Sequence, residues 1–230
     1  MTGEPAPGGY ARYALYWMPR PGTPMAEAGA AWLGWDPATG AEDKARAADP
    51  RVAAPRRYGL HATLKAPFAL APGGDAAGLQ AALAAFAAAT PPAEGPRLAL
   101  TGALGFLALM PDGPCPAIDA LADACVERFD RFRAPLSDAE RARRGAERMD
   151  PATRARFERW GYPYVKEGFR LHITLTGRLE ASARAAAEAE LKARFGPLLG
   201  TPFAVDALAL VGDPGGGQAF RLIRHYTLTG

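Results

Sequence analysis

Apolar and polar positions along the chain follow two rhythms. Alternation with a period of two runs through "YARYALYWMP" (10–19), "GLHATLKAPF" (59–68), "RLALTGALGFLALMP" (97–111), "GFRLHITLTGRL" (168–179), "PFAVDALALVGD" (202–213) and "QAFRLIRHYTLTG" (218–230). These stretches read as strands. The first stops at Pro19 and the second at Pro67, the third divides into two short strands around Gly102 and Gly105, and "PGGG" joins the last two.

Helical spacing governs 24–34, 75–90, 116–133 and 180–196. Asp75 caps the second of these and "TPP" stops it, while Gly196 ends the last. In 116–133, Ile118, Leu121, Cys125 and Phe129 recur on one helical face. An Arg/Glu-rich stretch over 136–164 holds two further helices, the second capped by Asp150 with Pro151 in its first position. Residues 1–9 are rich in Gly and Pro and are expected to be loose, and a polar, proline-bounded loop fills the chain between the first helix and residue 57.

The order of elements nearly repeats. A strand, a long connection, "HATL" on a strand, a helix and a strand pair make the first half. Helices, "HITL" on a strand, a helix and a strand pair make the second. The expected fold is α+β, with two pseudo-symmetric lobes, each an antiparallel sheet with flanking helices, around a central cleft. One bilobal domain fills 1–230: lobe 1 at about 10–110, a helical connection at about 116–160, and lobe 2 at about 165–230.

On a strand, residues two apart share a face. His61, Thr63 and Lys65 then share one side of the first motif strand, and Arg170, His172, Thr174 and Thr176 one side of the second. The opposite sides are apolar. Hydroxyls and cations suit a phosphate, and two imidazoles suit paired acid and base work near neutrality. The chain has three histidines in all, and the doubled motif uses two. His225, in "HYTL", also fits the bare pattern; it is read as structural, because its strand comes last in the second half and only two half-sites can face one cleft.

Composition narrows the classes. The chain has 230 residues, 49% hydrophobic and 22% charged, with a net charge of +3. That is ordinary for a globular protein with a real core, compatible with an anionic ligand, and far from a nucleic-acid-coating surface. The two cysteines, Cys115 and Cys125, form no metal-binding spacing and read as free thiols in a reducing cytoplasm. No apolar run approaches the roughly 20 residues of a membrane span, and the N-terminus lacks the pattern of a signal peptide.

The paired "HATL" and "HITL", each followed by strand–helix–strand, resemble the two-histidine (2H) phosphoesterase superfamily. The wider wording "RYGLHATLKAPF … RWGYPYVKEGFRLHITLTGRL" resembles a bacterial branch associated with phosphonate utilisation. The resemblance implies that His61 and His172 are the catalytic pair, that Thr63 and Thr174 hold the phosphate, and that no metal or other cofactor takes part. Lys65 and Arg170, on the same faces, are candidates to offset phosphate charge. Tyr58, Tyr164 and Tyr16 are candidates to stack on a base or sugar. The Arg-rich 128–159 segment reads as an exposed helical face, or as a lid or second anionic subsite. The expected partner is a small phosphorylated substrate, with RNA less favoured. The alternatives are an RNA-end 2′,3′-cyclic phosphodiesterase or 2′-5′ ligase, and a nucleotide- or RNA-binding module without turnover.

Overall fold

A computed structural model describes residues 9–230. The looseness expected of residues 1–9 therefore falls, but for Gly9, outside the described residues. The strands are β1 (Arg12–Trp17), β2 (Ala62–Phe68), β3 (Ala93–Gly95), β4 (Leu98–Thr101), β5 (Phe106–Pro111), β6 (Ile173–Arg178), β7 (Phe203–Val205), β8 (Ala207–Asp213) and β9 (Arg221–Thr227). The helices are α1 (Pro24–Leu33), α2 (Lys44–Ala47), α3 (Ala76–Ala88), α4 (Pro116–Phe129), α5 (Asp138–Arg144), α6 (Pro151–Trp160) and α7 (Ala181–Phe195).

Local chemistry sets many of these limits. The Asp75 carboxylate accepts from the Gly78 amide at the start of α3, and the Asp150 carboxylate from the Thr153 amide at the start of α6, with Pro151 behind it. α5 opens with a capping box between Ser137 and Glu140. Several limits differ from the sequence reading: β2 begins at Ala62 and β6 at Ile173, and 202–213 divides into β7 and β8. α4 stops at Phe129 and a single 3₁₀ turn follows. β2 runs past Pro67 to Phe68; beyond Ala62 it pairs with β1 but not with β6, and a residue without an amide is tolerated beside an unpaired edge.

Seven strands form one antiparallel sheet in the order β4-β5-β6-β2-β1-β8-β9, and β3 pairs with β7 in a separate ribbon. The order is symmetric about the β6–β2 seam. The unit β1–β2–α3–β3–β4 corresponds to β5–β6–α7–β7–β8, with β9 added at one edge. The last strand of each unit pairs with the first strand of the other. The halves of the sequence are thus not the halves of the sheet: β6 completes a half begun by β4 and β5, and β8 and β9 complete one begun by β1 and β2.

One face of the sheet carries the main core. Leu15, Trp17, Leu64 and Leu175 pack there with Trp32 of α1, Leu79 and Leu83 of α3, Phe129 of α4 and Leu191 of α7. The Trp32 indole N–H donates to the Leu175 carbonyl at 2.7 Å, tying α1 to the second motif strand. The opposite face has a smaller cluster with Ala14, Tyr16, Ala209 and Phe220 and opens into a cleft. No helix among the described residues is long and apolar enough to cross a membrane.

Candidate active site

Ala62 of β2 stands opposite Ile173 of β6 in antiparallel register. Residue numbers run in opposite directions across such a pair. His61 is therefore level with Thr174, and Thr63 with His172. Each motif supplies its histidine to the other motif's threonine.

Both histidines sit one residue before a strand begins, and both are held alike. The His61 Nδ1–H donates to the Gly59 carbonyl at 2.9 Å, and the His172 Nδ1–H to the Arg170 carbonyl at 2.7 Å. A carbonyl only accepts, so Nδ1 carries the proton and Nε2 is left as the free nitrogen in the neutral ring. For His61 the geometry depends on Gly59, whose φ of 72° is a left-handed conformation. A Cβ there would also lie 2.2 Å from Pro37 Cγ.

His61, His172, Thr63, Thr174, Tyr58 and Tyr16 line one cavity of about 300 Å³. A second cavity of about 430 Å³ adjoins it and holds Arg170 and Tyr164. Thr63, Ala66, Tyr162 and His172 border both, so the cleft has two wings that meet at the histidines. The wings differ in character. In the His61 wing, the Tyr16 ring lies against the imidazole at 4.2 Å between centroids, Tyr58 lies at 5.5 Å, and Phe220 backs Tyr58 at 4.9 Å. The other wing is broader, with Phe106 6.1 Å from His172 and Tyr164 edge-on to Tyr162. Tyr164 is 58% exposed.

Enclosure has an electrostatic consequence. Burial pushes the His61 pKa down from 6.5 to about 4, against the pull of the Gly59 carbonyl, and the charge of His172 lowers it further. His61 is therefore the neutral imidazole at physiological pH.

Lys65 is not in this site. Between Leu15 and Tyr16 the β1–β2 register slips, so that Leu15 faces Lys65 while Tyr16 faces Thr63. The extra residue is a bulge, and it reverses the alternation. Lys65 turns under α4, 3% exposed, where Nζ donates to the Val126 carbonyl at 3.1 Å and lies 3.5 Å from the Asp130 carboxylate. Thr176 lies where the β5–β6 register slips by two residues, between the Phe106–Arg178 and Ala108–Thr174 pairs. Its hydroxyl accepts from the Leu107 amide and donates to the Gly177 carbonyl. Both motif strands bulge just after their threonine.

Arg170 borders the cleft, with its guanidinium donating to the Glu167 and Phe169 carbonyls. His225 lies on β9, its Nε2 against the Met18 carbonyl at 3.2 Å, and lines neither wing. From the Arg-rich segment, Arg144 reaches the His61 wing. Arg133, Arg141 and Arg159 are in ion pairs with Asp130 or Glu158.

Sequence reasoning missed Arg12, Phe106, Tyr162 and Arg178, which all line the cleft. Arg12 was within reach, because it shares a face of β1 with Tyr16. Its guanidinium is oriented by Asp213, which is 1% exposed, through Nε at 3.0 Å and Nη2 at 2.5 Å. Among the described residues, no three His, Cys, Asp or Glu side chains gather as a metal site. The polar groups at the seam are two imidazoles and two hydroxyls, a set that can move protons and donate to an oxyanion.

A family model described as "Protein of unknown function (DUF1045)" matches residues 63–221, more than half of the chain. Two curated proteins are similar, and both are named ribose 1,5-bisphosphate phosphokinase PhnN. The one from Janthinobacterium sp. (strain Marseille) is 38% identical over 224 residues, covering 91% of this chain and 49% of its own. The one from Laribacter hongkongensis (strain HLHK9) is 38% identical over 220 residues, covering 93% and 51%. The chain spans about half the length of the curated relatives it matches. By the breadth of the family match, the chain belongs to the DUF1045 family of proteins of unknown function.

Proposed function

We propose that this chain is a two-histidine phosphoesterase that hydrolyses a cyclic phosphate or phosphodiester of a small ribose- or nucleotide-type substrate, in phosphonate utilisation. The observation that carries the reading is the seam itself. Two imidazoles with free Nε2 atoms and two threonine hydroxyls converge there from a pseudo-two-fold pair of strands. In-line displacement at phosphorus has two ends, and each end needs a proton moved.

His61 is the base. Its aromatic enclosure keeps it neutral, so Nε2 takes a proton from water as the water oxygen bonds to phosphorus. His172, in the protonated form, gives its Nε2 proton to the departing alkoxide as the opposite P–O bond breaks. The products are a phosphomonoester and a free hydroxyl, and one proton passes from His172 to product as another reaches His61. Thr63 and Thr174 donate to non-bridging oxygens. Arg12 and Arg144 give the His61 wing positive charge suited to an anionic substrate.

The relatives' name points to ribose phosphates as the chemical neighbourhood. Their phosphokinase activity is assigned here to the part of them that this chain does not match. Phosphate-loop kinases place a lysine directly after glycine. Lys44, Lys65, Lys166 and Lys192 follow Asp43, Leu64, Val165 and Leu191. In those relatives, the part that resembles this chain would then supply a ribose phosphate to the remainder.

Hydrolysis in ¹⁸O-labelled water tests the reaction class. A panel of cyclic ribose phosphates and cyclic nucleotides, followed by phosphorus NMR without ATP, should give a ring-opened monoester carrying one ¹⁸O on phosphorus. Phosphate transfer that requires ATP would sink the hydrolase reading, and binding without product would favour a non-catalytic module.

A further inference from the structure

Tyr16 stands opposite Thr63 in the β1–β2 register. Its ring is packed between His61, 4.2 Å away and tilted by 33°, and Phe220 at 6.3 Å. The residue is 1% exposed, yet it lines the His61 wing beside Thr63 and Thr174. Packing alone would be met equally well by phenylalanine.

The hydroxyl is what phenylalanine lacks, and buried phenols ordinarily have a partner. Tyr13 accepts from the Tyr10 amide at 3.4 Å, and Tyr226 donates to Gln80 Oε1 at 3.3 Å. Tyr16 has no such bond with any described residue. Nor is its hydroxyl walled in: among the described residues, the side-chain polar atoms sealed from solvent without a partner are Arg46 Nη2 and Arg56 Nε. The Tyr16 oxygen is thus not fully sealed, and the cavity the residue lines is the His61 wing of the cleft.

We infer that the Tyr16 hydroxyl donates a hydrogen bond to a phosphoryl oxygen of the bound substrate, as a third neutral donor beside Thr63 and Thr174. The inference rests on the phosphoesterase reading for the identity of the ligand. Phosphoryl oxygens only accept, so the phenol must keep its proton. Burial first, and then the nearby Tyr58 and Tyr162, push its pKa well above the usual value of 10. The role also meets a shortage: Lys65, the cation expected on the Thr63 face, is under α4 instead.

Tyr16→Phe isolates the hydroxyl because it keeps the ring against His61. Its kcat/KM for a 2′,3′-cyclic nucleotide should fall about 10- to 100-fold, the range of one hydrogen bond to a charged acceptor, with the melting temperature within about 2 °C of wild type. A rate within twofold of wild type overturns the inference and leaves the phosphoesterase reading standing. If wild type turns over no cyclic phosphate, inorganic phosphate binding, read from the imidazole signals of His61 and His172, makes the same comparison. At least tenfold weaker binding by Tyr16→Phe then supports the Tyr16 role while hydrolysis fails. Equal binding overturns it. No phosphate binding by wild type overturns both.

Discussion

His61 stands level with Thr174 across the β2–β6 seam, because Ala62 pairs with Ile173 in antiparallel register. A histidine from one repeat and a threonine from the other therefore share each half of the site. Neither repeat carries a complete half-site alone, so the substitutions below should act on a single unit.

His61→Ala and His172→Ala should each reduce kcat by roughly 10²–10⁴, the range of a positioned acid or base. The double variant should be little worse than either single one. Thr63→Ala and Thr174→Ala should cost less, about 10- to 100-fold, since each removes one hydrogen bond to a charged acceptor. His225→Ala, whose ring rests on the Met18 carbonyl, should retain turnover. Steady-state rates on one cyclic phosphate settle the ranking, and a damaging His225 variant would mean that the wrong pair has been chosen.

Stability should fall in acid for a reason traceable to His61. Its pKa is about 4 in the folded chain against 6.5 when unexposed to the fold. Between those values the unfolded chain binds a proton that the folded chain does not. Stability is therefore lost as pH drops from about 6.5 towards 4, by on the order of 2–3 kcal/mol. Denaturant midpoints should show wild type losing stability relative to His61→Asn as the pH falls through that window. Parallel curves would show that His61 is not held neutral.

Gly59→Ala should destabilise the protein by about 1–3 kcal/mol, from positive φ and from collision with Pro37. It should also lower kcat, because it disturbs the carbonyl that orients His61. Thermal melting paired with turnover measures both effects, and an intact melting curve would contradict the steric argument.

Lys65→Met should leave the pH–rate profile in place, since Lys65 lies under α4 and not in the cleft. Burial has already lowered its pKa from 10.5 to about 8, and Asp130 keeps Arg133 and Arg159 as partners without it. The stability cost should be about 1–3 kcal/mol, from the Val126 carbonyl left without its donor. A shifted profile would return Lys65 to the site.

Much of this arrangement was legible in the sequence. Alternation marked β2 and β6, Asp75 and Asp150 marked their helix starts, and the doubled motif marked the four seam residues. Lys65 and Thr176 were misplaced because a bulge is set by pairing between strands, and no local pattern records it. The exchange of strands between repeats is likewise a long-range choice. Tyr162 enters the cleft through the turn after α6, where Gly161 takes a left-handed φ of 75°; the period-two and helical rhythms do not reach such a turn.

The central claim is that His61 and His172 act as one acid–base pair on a phosphate ester. Phosphorus NMR of a cyclic ribose phosphate incubated with wild type, His61→Ala and His172→Ala tests it most directly. The account predicts conversion to a ring-opened monoester by wild type and a loss of at least about 100-fold in each variant. Conversion at the wild-type rate by either variant would contradict it.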